Sequence, residues 1–372
     1  MAKRAPIFSE PSFLGTFLVL IAAIAILFII DTFLAKTEMA ESGVEAAHLY
    51  DSGERFMQQG RSMEAAEQFK AALSTERGNQ DYQLALGQAL LAAGKLTDAE
   101  TTLDDLLQRS PFGSAANLAL ARVLVKQNRI NDAAAYYHRA IYGQWKENSR
   151  ANQVKVRFEL ADLLSHQDSK EDLLAELLPL QDEAPDDLAT KKKLGRLFIA
   201  AGSPARAADV FRDILRQQPQ DAEAYAGLGE AEFASGNYRT AQAEFQASLR
   251  FRPDDQATHQ RLDVCNRILE LDPMRRGLSM EEQYRRARKL VELVLDDVDQ
   301  CLGAAAGGPS QEFIDTVRSA LKKPVTTARR SEAMDDNLDW ADQLWELRKM
   351  DCKTPITPAE EPLALVLSKL AQ

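Results

Sequence analysis

Four histidines and three cysteines are the side chains with which this chain could hold a metal or carry a nucleophile. A metal site needs several donors in one shell, which in sequence shows as close and regular spacing. His48, His138, His166 and His259 fall in four separate segments with no ligand spacing among them. Cys265, Cys301 and Cys352 form no CxxC pair, and their odd count gives no complete disulfide framework. Each reads as a small buried hydrophobe. The alternative is a Cys301–Cys352 bridge tying down the C-terminal helices, if that part lies outside the cytoplasm. The carboxylate pairs Asp104–Asp105, Asp186–Asp187 and Asp254–Asp255 sit near helix ends and turns, where solvation and capping account for them. No GxxxxGK[ST] loop, GxSxG elbow, HExxH or dinucleotide fingerprint occurs. The chain therefore reads as a non-enzyme with no cofactor and no metal. An activity confined to residues 277–372 would need a compact pocket with convergent polar groups.

Charge narrows the partners further. The net charge is -11 and the pI is near 5.1. Nucleic-acid binding needs a basic face to displace phosphate counterions, so it is excluded as a general function. Apolar residues make up 45% of 372 residues, enough for several domains or one long array.

The elements that position any site are set by a repeat. Shifting 188–219 by 34 residues lays it on 222–253: Leu194 on Leu228, Gly195 on Gly229, Gly202 on Gly236, Ala207 on Ala241, Phe211 on Phe245, Pro219 on Pro253. Extending that period gives units at 46–79, 80–113, 114–147, 154–187, 188–221 and 222–255. A small-x3-bulky pattern recurs as Ala65/Phe69, Ala99/Leu103, Ala133/Tyr137, Leu173/Leu177, Ala207/Phe211 and Ala241/Phe245. A turn residue recurs as Gly60, Gly94, Asn128, Asp168, Gly202 and Gly236. The fourth unit is degenerate, with Leu173 at the small position and Ala161 at the glycine, and 148–153 is inserted before it.

The segment Tyr225-x2-Leu228-Gly229, Ala241-x3-Phe245, Pro253 resembles the tetratricopeptide repeat, a helix–turn–helix unit. The resemblance implies an all-α solenoid of about six repeats over 44–271, with 256–271 as its capping helix. It also implies a protein-binding scaffold whose concave surface is lined by the first helix of each unit. Mapped onto this chain, that face holds Tyr50, Glu54 and Met57; Leu84, Gln88 and Leu91; Leu118, Arg122 and Lys126; Lys155, Phe158 and Asp162; Lys192, Arg196 and Ile199; and Ala226, Glu230 and Phe233. The partner-binding candidates are Tyr50, Glu54, Gln88, Arg122, Lys126, Lys155, Phe158, Lys192, Arg196, Glu230 and Phe233. The carboxylate clamp of co-chaperone repeats uses Lys-x3-Asn; Lys192-x3-Arg196 lacks the asparagine. A basic centre flanked by Glu54 and Glu230 suits a partner segment of acidic character, against the plainer reading of solvated helix faces.

Two regions flank the array. Residues 1–12 form a short basic segment with Lys3 and Arg4. Phe13–Ile30 carries no charge, and eighteen residues at about 1.5 Å each span roughly 27 Å, close to the hydrocarbon thickness. The sequence thus predicts a transmembrane helix over 13–35, uncleaved, with the N-terminus cytoplasmic and the bulk of the chain extracytoplasmic (periplasmic in a bacterium). Residues 272–372 read as a helical annex: Ser279-x2-Glu282 opens a helix running to Leu302, 303–309 is a Gly-rich linker, and helices follow near 310–322, 332–350 and 363–370. Arg275, Arg276, Arg285, Arg286, Arg288 and Lys289 form a second basic run, either a lipid or acidic-partner surface or a helix face solvated beside Glu281, Glu282 and Glu292. The function expected is a membrane-tethered adaptor in assembly or biogenesis of a membrane-associated complex. The alternatives are a self-assembling structural protein or a non-catalytic enzyme subunit.

Overall fold

The computed structural model describes residues 13–167, 169–302, 309–352, 355–357 and 360–370, with the side chains of 13–16, 19, 34–40 and 309 excepted. The basic segment 1–12, the turn residue Asp168 and most of the Gly-rich linker lie outside these residues. Among the described residues the secondary structure is helical, with one isolated bridge between Gly113 and Gln144. The chain divides into two compact units, 1–160 and 161–372.

In unit 1, helix α1 (Phe13–Gln58) is followed by α2 (Ser62–Thr75), α3 (Gln80–Ala92), α4 (Leu96–Arg109), α5 (Ser114–Lys126) and α6 (Ile130–Tyr142). Helix α7 (Ser149–Ser165) contains the division between the units. Unit 2 continues with α8 (Lys170–Glu183), α9 (Leu188–Ala200), α10 (Pro204–Gln217), α11 (Ala222–Ala234), α12 (Tyr238–Phe251) and α13 (Gln256–Leu271). Its last part holds α14 (Met280–Leu302), α15 (Pro309–Leu321), α16 (Arg330–Asp351) and α17 (Glu361–Leu370).

Local chemistry sets these boundaries. Asn79, Asp187, Asp221 and Asp255 cap α3, α9, α11 and α13 by accepting first-turn amide hydrogens. At the turn inside five of the hairpins one residue takes a positive φ: Gly60, Gly94, Asn128, Gly202 and Gly236. The next amide then closes back five residues, as in Arg61 N to Phe56 O at 2.9 Å and Asn237 N to Glu232 O at 2.9 Å. This is the Schellman closure, which satisfies carbonyls left open at the helix end.

The small-x3-bulky pattern packs each hairpin. Ala65, Ala207 and Ala241 are fully buried, and the ring four residues later lies against a glycine of the preceding helix. A Cβ at Gly229 would stand 2.6 Å from Phe245, and one at Gly195 would stand 2.7 Å from Phe211. These glycines are therefore the seats of the rings. In the degenerate fourth unit Leu173 and Leu177 are buried, and Pro179 sits inside α8.

Two expectations change. The predicted span at 13–35 does not end before the repeats: α1 runs 46 residues without a break and supplies the first helix of the first hairpin. Among the described residues no helix is long and apolar enough to cross a membrane. Positions 13–16 and 19 of the apolar run have side chains outside those residues. Within the run, Phe17, Ile24, Leu27, Phe28 and Ile30 are exposed. The cysteines also differ from the simpler reading: Cys301 and Cys352 are joined in a disulfide with Cα atoms 5.8 Å apart. It links the end of α14 to the residue after α16. Cys265 is a free, buried thiol pushed up to about 11 by that burial, far from the range of a reactive thiolate.

The annex closes on the end of the repeats. Leu290, Val294 and Val298 of α14, Ala341, Leu344 and Trp345 of α16, and Val366 of α17 share one core with Cys265 and Ile268 of α13.

Candidate partner-binding faces

The predicted face splits into groups that remain available and groups already used within the fold. In unit 1, Gln88, Lys126 and Lys155 are exposed, and none has a hydrogen-bonding or ionic partner among the described residues. Tyr50 is half-buried, with its ring 5.0 Å from Tyr82 and 5.3 Å from Phe69. Burial, then the neighbouring Glu54 carboxylate, push its phenol above the ordinary range. Phe158 is half-buried. Arg122 is engaged: its Nε and Nη2 donate to Glu159 at 3.0 and 2.6 Å, tying α5 to α7.

In unit 2 the charged candidates are all consumed. Lys192 Nζ pairs with Asp221 at 2.7 Å and Glu223 at 2.9 Å. Arg196 pairs with the same Glu223. Lys193 reaches Asp162 at 2.6 Å. Glu230 receives two bonds from Arg261, each 2.8 Å. Phe233 is not on an open face: it is 8% exposed, packs edge-on to Tyr238, and carries Arg261 4.1 Å above its ring. Most of the second basic run is likewise engaged, with Arg286 on Glu282 at 2.7 Å and on the Leu269 carbonyl at 2.7 Å, and Arg288 on Glu292 at 3.2 Å.

These pairs form a ladder. Lys193–Asp162, Lys192–Glu223 and Arg261–Glu230 are each separated by 31 residues. That is three short of the 34-residue period, so each rung joins one first helix to a position one turn back on the next. The acids Glu159, Asp221 and Glu223 and the base Arg261 were not among the sequence candidates. Glu223 and Arg261 each pair at that separation, with Lys192 and Glu230, but Glu159 lies 37 residues from Arg122, so no single spacing marks the set in sequence.

Burial works to lower the Lys192 ammonium, but Asp221 and Glu223 more than offset it and raise it above its ordinary value. Burial likewise works to raise Asp221 and Glu223, and Lys192 more than offsets it, so both fall below the usual carboxylate range. A depressed carboxyl contributes stability that is present above its unfolded pKa and lost as pH falls through the folded one. A raised lysine contributes stability that is lost only as pH rises through its folded pKa. The rung is thus complete across neutral pH; it weakens only as pH falls below the ordinary carboxylate range or rises past the ordinary lysine value. Thermal unfolding between pH 6 and pH 3 should fall less steeply for Glu223→Gln than for the parent chain; equal slopes would exclude the rung as a contributor.

Among the described residues no group of three or more His, Cys, Asp or Glu side chains is placed to hold a metal. The geometry defines helical hairpins whose first helices carry the recognisable polar groups, which is the arrangement of a repeat scaffold. Two stretches, 50–114 and 198–262, match tetratricopeptide repeat family models. The chain carries tetratricopeptide repeats, and such repeats generally mediate protein–protein interaction. It is 28% identical over 191 residues to the peroxisomal targeting signal receptor of Pichia angusta, a match taking in 50% of this chain and 33% of that protein. The chain thus spans about a third of the length of that curated relative. Among solved structures it is similar to YrrB, a tetratricopeptide repeat protein described as having an unusual peptide-binding site, with 16% identity and a TM-score of 0.43 over 52% of this chain and 97% of that one. It is also similar to a tetratricopeptide repeat protein of Parabacteroides merdae, with 15% identity and a TM-score of 0.42 over 75% and 99%. A third is the C-terminal part of a repeat-containing protein of Cytophaga hutchinsonii, with 11% identity and a TM-score of 0.47 over 66% and 95%.

Proposed function

We propose that this chain is a membrane-tethered adaptor whose first-unit repeat face binds a partner protein during assembly of a membrane-associated complex. The observation that carries the binding reading is the contrast between the units. In unit 2 the charged candidates Lys192, Arg196 and Glu230 are all paired within the fold. In unit 1, Gln88, Lys126 and Lys155 project from α3, α5 and α7 with their donors unused. Two free lysines favour a partner segment with acidic side chains, for which complementarity mostly sets on-rate and register. The test is crosslinking and mass spectrometry of the full chain in native membranes. A Lys126→Glu/Lys155→Glu variant should lose the dominant crosslinked partner several-fold, whereas Lys70→Glu on α2 should not. Unchanged capture by a folded double variant would sink the reading.

The tether rests on α1. Large apolar side chains exposed along its first half are stabilised by leaving water, at about 25 cal/mol per Å² of apolar surface. A bilayer around 13–35 supplies that environment. Lys3 and Arg4 before the run favour a cytoplasmic N-terminus. The Cys301–Cys352 disulfide fits an oxidising compartment for the remainder. Ile24→Lys, costing about 3 kcal/mol at a span centre, should move a fraction of the chain from alkali-washed membranes to the supernatant. Full retention of the variant would argue against the span.

A further inference from the structure

We propose that the seat of α17 on α13 is a helix-binding site, filled here by the chain's own last helix and open to replacement by a partner's short amphipathic helix. The ladder of first helices leads to it. Beyond α13 no further repeat hairpin follows among the described residues, and the chain departs into α14, α15 and α16. Arg261, already holding Glu230, turns its remaining Nη1 to Glu361 at 3.4 Å, 100 residues further on. At the other end Lys369 Nζ reaches the buried Asp272 at 2.8 Å, 97 residues back. Residues 261 and 272 meet 361 and 369 in the same order, so α17 runs parallel to α13. Successive repeats related by a small rotation present their first helices in parallel. Helix α17 therefore takes the place and direction of the next first helix, although it belongs to no hairpin.

Its pattern suits that seat. Leu363, Val366 and Leu367 are buried, a stripe at i, i+3 and i+4. Glu361 stands in the first turn and Lys369 in the last. Arg261 and Asp272 thus select a helix by the direction of its charges. The fit is incomplete at its start, where a cavity of about 480 Å³ opens beside Pro362 and Leu363, against Arg267, Glu270, Asp297 and Glu360. Glu361 takes only the third contact of Arg261, and Lys369 is half-exposed. The Cys301–Cys352 disulfide closes the chain just before this segment, so α14 and α16 stay joined when α17 leaves. The occupant defined by these groups is a helix of about three turns, with an acid in its first turn, Leu or Val at i, i+3 and i+4, and Lys in its last turn.

The experiment uses the full chain in detergent micelles and a second chain ending at Glu360. The probe is a fluorescent peptide of sequence 360–370. The shortened chain should bind it saturably, and the intact chain about tenfold more weakly, a 1.4 kcal/mol difference. Arg261→Glu in the shortened chain should abolish binding. Failure of the shortened chain to bind, with its Trp340 and Trp345 fluorescence intact, would overturn the proposal. So would loss of that fluorescence, since α17 would then be inseparable from the annex core. Concentration-dependent dimerisation of the intact chain in light scattering, reversed by the peptide, would assign the seat to a second copy and overturn the partner-helix occupant.

Discussion

Replacing Arg348 by alanine is expected to lower the stability of the C-terminal helices by about 3–5 kcal/mol. The residue is 4% exposed near the end of α16. Its Nε donates to Asp297 on α14 at 2.8 Å, its Nη2 donates to Glu360 ahead of α17 at 3.2 Å, and the guanidinium lies 5.5 Å from the Trp345 ring. One cation thus joins three segments, and Asp297 is itself only 13% exposed. Removing the arginine strands that largely buried carboxylate, and its desolvation penalty then goes uncompensated. The sign depends on which groups are removed. Arg348→Met keeps the apolar stem yet still strands Asp297, so it should cost nearly as much as alanine. Arg348→Met with Asp297→Leu removes both charges and should recover most of the loss. Guanidinium unfolding followed by Trp340 and Trp345 fluorescence reads the three variants. A single variant with the parent's midpoint would mean the cluster is solvated. A double variant no better than the singles would mean that packing, not charge, is what Arg348 supplies.

The spacing of Leu338, Ala341, Leu344, Trp345 and Arg348 puts them on one helical face, but spacing alone does not say what Arg348 meets. That division recurs across the molecule. Hairpins were legible because their signals are local. A glycine or asparagine at the turn, a small residue four before a bulky one, and a capping Asn or Asp all act within a few residues of themselves. Pairings between distant segments were not legible, because they depend on how much one hairpin rotates against the next. Lys192 and Arg196 were placed on the inner face of their helix, yet Asp221 and Glu223 on the following helix claim them. The repeat mapping puts Phe233 on the concave face, yet it lies under Arg261 and against Tyr238. The unbroken passage of α1 into the first hairpin was obscured for another reason: hydropathy falls after Ala35 while helical propensity does not. Ala35, Lys36, Glu38, Met39, Ala40 and Glu41 all favour helix.

Breaking the Cys301–Cys352 disulfide should cost the annex about 4 kcal/mol, an effect comparable to losing Arg348. The bridge spans a sequence separation of 51. Tying a loop of that length removes roughly 14 cal/mol/K of entropy from the unfolded chain, about 4 kcal/mol at 25 °C. The bonded ends are the last turn of α14 and the residue following α16, and these two helices carry most of the annex core. The disulfide therefore restrains a pair already packed in the folded state, and its main effect falls on the unfolded one. That origin makes a specific demand on the measurement. Reduction should lower the unfolding midpoint reported by Trp340 and Trp345 in a Trp145→Phe background, with little change in the folded-state spectrum. A Cys301→Ser/Cys352→Ser chain should match the reduced parent. Arg348→Ala should further lower the midpoint of the oxidised chain. The two effects should fall short of additivity, because Cys352 donates its amide to the Arg348 carbonyl at 3.0 Å and the sites share one helix end. Identical midpoints with and without reductant, or two free thiols at these positions in the chain isolated from its native source, would refute the assignment. Free thiols would also remove the support that the disulfide lends to an oxidising compartment.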